Sequence, residues 1–339
     1  NHGLLKRWLK EYKVVDLIRD VCALMKGDKK LFKREGHDNK RAFARFRKEN
    51  LSVSMHKYYR LADLQNRPPY ADAYITGSDQ IWSQLLSNRE NEVYYLNFGS
   101  RDILRIAYAP SFSMDEYPES LLPNLRDNLA RFDSVSCREY SGVDICRKAG
   151  FANAKKVLDP TFLIGKEDYM ELIRKAANKH DKDYVFIYSL NISEPKEICW
   201  EELKRVLNGR SVVVTPSDGY FAGDELFGNE VEYSYGTIQE WLANIYYSSL
   251  VVTPSFHGVA LAIILEKDFV YTPLEGACAK GNNRILDLLA DLDMTNRMLS
   301  KERRYEDIVS QPIDWRYVNE RLVALRNESL GFLKCSLTK

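Results

Sequence analysis

Residues 250–265 constrain the fold of this chain more than any other stretch, because they join a buried strand directly to a buried helix. The short apolar run at 250–253 is rich in β-branched residues and predicts the strand. Pro254 and Ser255 end it, since proline cannot donate to a central ladder, and an almost wholly apolar helix begins near His257. Ligands of open α/β sheets bind at such strand ends. The partial positive charge at the helix start favours phosphate or carboxylate.

Strands and helices alternate along the rest of the chain in two series. Such alternation predicts βαβ units and parallel sheets. The first series has strands at 73–76, 104–109, 133–137 and 156–158, an extended piece at 93–98, and helices at 121–132 and 140–149. The second has strands at 184–190, 211–215, 250–253 and 269–272, and helices at 169–177, 197–206, 237–246, 283–292 and from 257 onwards.

We predict an α/β fold of two Rossmann-like domains that face each other across a cleft, since 339 residues suffice for two domains. The N-terminal domain is predicted at 51–168, preceded by a basic helical segment at 1–50 that belongs to it. The C-terminal domain is predicted at 169–312. The last segment, 313–339, is predicted to be a helix that crosses back to the first domain. The chain begins with Asn1 instead of Met, so its natural start is expected upstream.

The first 50 residues differ in charge from the rest. They hold 15 Lys/Arg and 7 Asp/Glu, a net charge of +8, whereas the remainder has a net charge of −7. Apolar residues at helical spacing over 4–25 predict an amphipathic helix with a basic outer face, and a second helix is predicted at 41–49. The first helix either contacts a membrane surface or a lipid-linked substrate or packs on its own domain, and we favour the second alternative.

Composition narrows the setting of the protein. A hydrophobic content of 45%, without an apolar run long enough for a bilayer, predicts a soluble globular protein. Six scattered cysteines without a C-x-x-C pair argue against a zinc site or a disulfide framework and for a reducing, cytoplasmic location. The start has no signal-peptide pattern. The net charge of +1 does not support a nucleic-acid partner.

Polar residues follow four of the predicted strands, and we expect them to meet in the cleft because the carboxyl ends of parallel strands share one edge. They are Gly77-Ser78-Asp79-Gln80, Ala109-Pro110-Ser111, Ser136-Cys137-Arg138-Glu139 and Ser255-Phe256-His257-Gly258. The chain has no G-x-x-x-x-G-K-[ST], G-x-G-x-x-G or H-E-x-x-H motif. A nucleoside triphosphate or dinucleotide ligand is therefore not predicted.

Three basic side chains are candidates for anion binding and proton transfer. The planar guanidinium of Arg138 suits a bidentate hold on phosphate or carboxylate, with an ion pair to Glu139 or another surface acid as the alternative. Arg284 is either a second anion ligand from the facing domain or a surface residue. His257 is either a proton-transfer group that titrates near neutral pH or a hydrogen-bonded core residue that closes its turn.

Five motifs occur in a fixed order along the chain. They are Tyr74-Ile75-Thr76-Gly77-Ser78-Asp79-Gln80-Ile81-Trp82, Ile106-Ala107-Tyr108-Ala109-Pro110-Ser111-Phe112, Ser136-Cys137-Arg138-Glu139, Val157-Leu158-Asp159-Pro160-Thr161-Phe162-Leu163 and Ser255-Phe256-His257-Gly258. Their order resembles the polysaccharide pyruvyl transferase family from about residue 40 to the C-terminal helix. The resemblance implies a fold like that of GT-B glycosyltransferases. It also implies transfer of the enolpyruvyl group of phosphoenolpyruvate to sugar hydroxyls, usually as a cyclic ketal, with release of phosphate.

For that chemistry we expect His257 to transfer a proton or bind the leaving phosphate, and Asp79 to act as a base. The expected substrate ligands are Arg138, Arg284, Ser78, Gln80, Ser111 and Ser255. Ser78 or Asp79 could instead cap a helix, and Trp82 is expected in the core rather than as a sugar platform. The expected partners are phosphoenolpyruvate and a sugar or lipid-linked saccharide, without metal or cofactor, in the cytoplasm or at the inner face of the membrane.

Two departures from the family pattern affect these expectations. Family members open with a strand and an Asn-Tyr-Gly-Ala-like turn, which this chain lacks. Pro254 also stands where many relatives carry Asp or another polar residue, so no carboxylate acts there. A GT-B-like glycosyltransferase that uses a nucleotide sugar and a non-catalytic sugar-binding relative remain as alternative functions.

Overall fold

The computed structural model describes residues 41–83, 89–176, 183–192, 194–216 and 226–338. The predicted helix at 4–25 lies outside these residues. The described chain forms two parallel β-sheets with helices packed on them. The prediction of two Rossmann-like α/β domains is therefore confirmed, while the exact domain boundaries stay predictions.

The N-terminal sheet has four parallel strands whose order in space follows the sequence. They are β1 (Ala73–Thr76), β2 (Leu104–Ala107), β3 (Ser134–Cys137) and β4 (Lys155–Lys156). The α-helices of this region are α1 (Phe43–Asn50), α2 (Leu61–Asn66), α3 (Leu122–Leu129) and α4 (Tyr140–Lys148). Leu125, Leu129 and Val143 bury the apolar faces of α3 and α4 in one core. The carboxyl ends of all four strands lie on one edge of this sheet.

The C-terminal sheet has five parallel strands in the order β7-β6-β5-β8-β9. They are β5 (Tyr184–Ser189), β6 (Ser211–Pro216), β7 (Glu232–Tyr233), β8 (Leu250–Thr253) and β9 (Phe269–Tyr271). The α-helices are α5 (Lys166–Ile173), α6 (Trp200–Val206), α7 (Ile238–Tyr247), α8 (Phe256–Ile264), α9 (Asn283–Asp291), α10 (Tyr305–Val309) and α11 (Trp315–Leu337).

Both faces of the C-terminal sheet are covered, which explains why its strands are continuously apolar. Phe186 of β5 enters one core and the next residue, Ile187, enters the other. From β5 the strand order runs towards one edge of the sheet through β6 and β7, and then towards the other edge through β8 and β9. Doubly wound sheets bind ligands at such a reversal of strand order, which here lies between β5 and β8. His257 follows β8, so the sequence placed it correctly at this point.

The structure differs from the predicted elements in several places. The extended piece predicted at 93–98 is wrong, because a 3₁₀ helix occupies Arg89–Tyr95. Strand β7 and the short helices α2 and α10 were not predicted, since elements of two to six residues are too short to show a clear period. Trp82 lies in the core as expected, buried and stacked on Tyr95 at a centroid distance of 5.2 Å.

The turn into α8 requires glycine at position 258. An added Cβ there would lie 2.7 Å from Thr253 Oγ1 and 2.8 Å from its Cγ2. Thr253 cannot easily move away, because its hydroxyl donates to the Tyr188 carbonyl at 2.9 Å and accepts from the Ser255 amide at 3.1 Å. Close approach of helix and strand thus fixes the start of α8.

Helix α11 crosses back to the N-terminal domain, as predicted. The Ser329 hydroxyl accepts from the Leu158 amide at 2.9 Å, and Phe332 contacts Tyr108 at a ring distance of 6.3 Å. Arg326 donates to the carbonyl of Phe162 at 2.6 Å. Against β3 and β4, this helix also closes a cavity of about 470 Å³. Even α11, the longest described helix, is too polar to cross a membrane, and the others are too short or too polar.

Two glycine substitutions should have opposite effects on stability. Gly258→Ala should lower the free energy of unfolding by about 1–3 kcal/mol through overpacking against Thr253. Gly331→Ala in α11 meets no atom within 4 Å and should raise it by roughly 0.5–1 kcal/mol through helix propensity. Urea denaturation of both variants measures the two values. Equal or reversed effects would contradict the proposed packing at Gly258.

Candidate functional site

Arg138 is the buried centre of the site and lies at the carboxyl end of β3. Its side chain is 1% exposed, and its Nε lies 3.1 Å from Asp159 Oδ2. Its Nη2 donates to the Ser78 hydroxyl at 2.6 Å, and Ser78 donates to the same carboxylate at 2.5 Å. The carboxylate paired with this guanidinium is therefore Asp159 and not the neighbouring Glu139. Within the described chain, Arg138 Nη1 has no hydrogen-bond partner, which leaves its two N–H groups for an anion.

Asp159 owes its position to the turn that follows β4. Its Oδ1 accepts from the Thr161 amide at 2.9 Å and from the Thr161 hydroxyl at 2.8 Å, which caps the 3₁₀ helix Pro160–Phe162. Burial alone would raise the pKa of Asp159, but Arg138, His257 and these hydrogen bonds outweigh burial and lower the pKa. The sequence indicated the turn but not the ion pair.

Arg284 reaches the same place from the C-terminal domain, in the first turn of α9. Its two Nη atoms donate to Gln80 Oε1 at 2.7 and 3.0 Å, with the Gln80 amide oriented to satisfy both groups. Its Nε donates to the Gly281 carbonyl at 3.1 Å. The side chain is only 10% exposed, so Arg284 lies in the interface between the domains and not on the surface.

The ring of Phe256 and the carboxylate of Asp79 bring the two guanidinium groups together. Arg138 Cζ lies 4.6 Å and Arg284 Cζ 5.9 Å from the centroid of the Phe256 ring. Asp79 Oδ1 lies 3.6 Å from Arg138 Nη2 and 3.7 Å from Arg284 Nη1. Burial, and next the charge of Arg138, lower the pKa of Arg284. The site thus holds two guanidinium groups close together, with Asp159 and Asp79 as their carboxylate neighbours.

Asp79 forms the open side of the site. Its side chain is 64% exposed, in contrast to both arginines. Its backbone is left-handed, with φ of 78°, which is unfavourable for a residue with a Cβ. The Asp79 carbonyl accepts from the Ser111 amide at 2.8 Å, and this bond holds the strained turn beside the loop after β2. Asp79 is thus placed where a solvent-borne substrate can reach it.

His257 stands next to Phe256 at the start of α8. Burial lowers the pKa of His257, opposed by Asp159 and assisted by Arg138, so the imidazole is neutral at pH 7. The turn before it is closed by Ser255, whose hydroxyl accepts from the Gly258 amide at 3.4 Å. The sequence left open whether His257 closes this turn by a hydrogen bond. In the structure, Ser255 makes that bond.

Two of the predicted ligands are engaged inside the fold. Ser111 is buried and donates to Glu139 Oε1 at 3.0 Å, and buried Ser255 caps α8. Substrate contact by these hydroxyls stays a prediction. The buried Glu139, which the sequence did not single out as a site residue, also accepts from the Phe112 amide at 2.8 Å and so fixes the loop after β2. Burial raises the pKa of Glu139 despite these bonds.

The structure therefore brings together most of the predicted site residues. Ser78, Asp79, Gln80 and Arg138 come from the N-terminal domain, and His257 and Arg284 come from the C-terminal domain. Two guanidinium groups can hold an anion, and the neutral imidazole of His257 can accept a proton. In the part of the chain that the structure describes, no cluster of three His, Cys, Asp or Glu side chains could hold a metal ion.

Several solved structures are distantly similar to this chain. UDP-N-acetylglucosamine 2-epimerase from Rickettsia bellii is 11% identical, with 82% of this chain and 76% of that chain covered and a TM-score of 0.48. UDP-GlcNAc 2-epimerase from Neisseria meningitidis bound to UDP-GlcNAc is 10% identical, with coverages of 82% and 79% and a TM-score of 0.49. A variant of the wall teichoic acid polymerase TagF is 11% identical, with coverages of 70% and 69% and a TM-score of 0.41.

No curated protein matches the chain significantly. The family model described as polysaccharide pyruvyl transferase matches residues 4–274, which is most of the chain. That range includes the residues of the site up to His257, and Arg284 follows it by ten positions. By this match, the chain belongs to the polysaccharide pyruvyl transferase family.

Proposed function

We propose that this protein transfers the enolpyruvyl group of phosphoenolpyruvate to a sugar of a cell-surface polysaccharide precursor, forming a pyruvate ketal and releasing phosphate. The observation that carries the proposal is the convergence of Arg138 and Arg284, from opposite domains, on the ring of Phe256, which lies 5.5 Å from the ring of His257. Phosphoenolpyruvate bears a phosphate ester and a carboxylate on the same carbon, C2. Two guanidinium groups that share one aromatic ring and one carboxylate neighbour match this pair of anions.

The proposed reaction attaches two hydroxyls of one sugar to C2 of phosphoenolpyruvate. The first hydroxyl oxygen bonds to C2, and its proton passes through a base to C3, which becomes a methyl group. The bond between C2 and the phosphate oxygen then breaks, and phosphate leaves. The second hydroxyl oxygen bonds to C2, and its proton is transferred to the released phosphate. The products are the cyclic ketal and inorganic phosphate, so atoms and charge balance.

Each site residue has a role in this scheme. Neutral His257 accepts the proton of the first hydroxyl and returns it to C3, while the ionised Asp159 stabilises the transient imidazolium. Arg138 and Arg284 neutralise the phosphate as its charge grows. Exposed Asp79 is a base for the second hydroxyl, and Gln80 and Ser78 hold sugar hydroxyls when substrate displaces their present contacts.

The proposed acceptor is a sugar or lipid-linked saccharide, and the proposed location is the cytoplasm or the inner face of the membrane. The basic N-terminal 50 residues, with a net charge of +8, support contact with an anionic surface or a lipid-linked acceptor. Phosphoenolpyruvate serves as donor substrate, without a cofactor.

The direct test measures phosphate release from phosphoenolpyruvate with a panel of acceptor sugars. Thermal-shift binding complements it, because a ligand that binds only the folded state raises the melting temperature. We expect stabilisation by phosphoenolpyruvate. Stabilisation by UDP- or GDP-sugars alone would reject the proposal in favour of a glycosyltransferase.

Removal of the Arg284 charge should weaken donor binding. Arg284→Gln should raise the KM for phosphoenolpyruvate roughly 10–100-fold, since a charge-assisted hydrogen bond contributes about 1.5–3 kcal/mol. Arg147→Gln is the matched control, because Arg147 is exposed on α4 and pairs with nearby Asp144 at 3.4 Å. Steady-state kinetics measures both KM values. Equal KM values in the two variants would remove Arg284 from the donor site.

The lowered pKa of His257 predicts how enzyme activity declines as the pH falls. Activity that needs neutral imidazole is retained below the ordinary value of about 6.5 and declines only at more acidic pH. His257→Gln should lower kcat about 10²–10⁴-fold and abolish the decline attributed to the imidazole. The donor phosphate also titrates near pH 6, and its contribution should persist in the variant. An unchanged profile in His257→Gln would exclude the residue as the base.

A further inference from the structure

Three residues on one face of α9 join the two domains. Arg284, Asp287 and Asp291 are spaced i, i+3 and i+7, which aligns them along the helix over about 10 Å. Asp287 Oδ2 accepts from the backbone amide of Tyr140 at 2.7 Å. Asp291 Oδ1 accepts from the Tyr140 hydroxyl at 3.1 Å, and its other oxygen pairs with Lys156 of β4. One helix thus carries a site arginine and two anchors on the facing domain.

The Tyr140 anchor lies next to the other site arginine. Tyr140 begins α4, two residues after Arg138, so Asp287 binds the strand-to-helix turn that presents Arg138. A carboxylate at a helix N-terminus is also favoured by the helix dipole. The bond between Asp287 and Tyr140 therefore fixes the position of the Arg138 turn relative to Arg284, one helical turn away on α9.

The second anchor is enclosed by protein. The Lys156 ammonium lies 5.3 Å from the centroid of the Tyr140 ring and pairs with Asp291. Burial lowers the pKa of Lys156 to about 8, with Asp287 and Glu328 opposing the shift. Removing one partner from such an enclosed pair is costlier than removing it from a surface pair, so this contact can hold the domains together.

Anchors of this kind matter because the two site arginines come from different domains and repel each other, and burial removes the solvent that would screen them. Before an anion binds, Asp159 offsets the charge of Arg138 and Gln80 accepts from Arg284, while Asp79 lies 3.6 and 3.7 Å from the two guanidinium groups on the exposed side. The contacts made by the two aspartates on the same helix add to these in holding the two guanidinium groups near each other.

We infer that Asp287 and Asp291 are positioning residues that hold Arg284 against the Arg138 turn and so pre-form the two-arginine anion site. They touch neither the anion nor the reacting atoms. The identity of the anion as phosphoenolpyruvate rests on the proposed function, whereas the positioning itself concerns any anion that the two arginines bind.

The test is a double-mutant cycle. Asp287→Asn, Asp291→Asn and Arg284→Gln are made singly and in pairs, and affinities for phosphoenolpyruvate and for inorganic phosphate are measured by calorimetry. Each aspartate variant should weaken anion binding about tenfold in the wild-type background. In the Arg284→Gln background the same change should have less than about a twofold effect, because the residue that it positions is gone. For the same reason, kcat should change far less than KM.

Asp293→Asn is the control for general effects of losing a carboxylate near α9. Asp293 is exposed, and its φ of 58° suits asparagine, so affinity should be unchanged. Equal losses of affinity with and without Arg284 would overturn the positioning role and leave a purely structural one. If the wild-type protein binds phosphate but not phosphoenolpyruvate, the proposed donor is wrong. The double-mutant cycle then still tests the positioning role with phosphate as the ligand. Wild-type protein that binds neither anion overturns both proposals.

Discussion

Two buried guanidinium groups that face the same aromatic ring are the constraint on which the rest of this structure depends. Arg138 and Arg284 come from different domains, yet both lie near Phe256 and both approach Asp79. Such charges cannot be buried without compensation. The buried carboxylate of Asp159 compensates the charge of Arg138, and the amide oxygen of Gln80 accepts hydrogen bonds from both Nη atoms of Arg284. The carboxylate of Asp79 balances the second charge from the exposed side, where an anionic substrate can compete with it for both guanidinium groups.

The loops around this site contain strained backbone conformations. Asp79, Ala109 and Ser113 all have positive φ, at 78°, 55° and 54°, and all belong to loops after the first two strands. Such conformations cost about 1–3 kcal/mol each and persist only where the surroundings impose them. Here the buried carboxylate of Glu139 imposes part of this geometry through the Phe112 amide. Rigid sheets thus supply the stability that the irregular loops lack.

Much of this arrangement could be predicted from the sequence, because it follows from strand ends. Parallel strands that end in polar residues must place them on one edge, so Ser78, Arg138 and His257 were expected to converge. The pairing partner of Arg138 could not be predicted, since Asp159 is 21 residues away and the adjacent Glu139 looked equally suitable. The anchors on α9 were also missed. An aspartate at helical spacing is ordinary on a surface, and only the packing of the two domains gives Asp287 and Asp291 their partners.

Helix α11 also affects the order in which the molecule can be completed during synthesis. Domains of a growing chain generally fold as units, beginning with the first one made. In this protein, Ser329, which is translated 171 residues after Leu158, accepts from the Leu158 amide, and Phe332 covers Tyr108 in the first domain. The surface of the first domain is therefore complete only after α11 has been synthesised. Premature termination near residue 312 would release both sheets and yet leave the α11 contact surface of the first one uncovered, a target for chaperones and proteases.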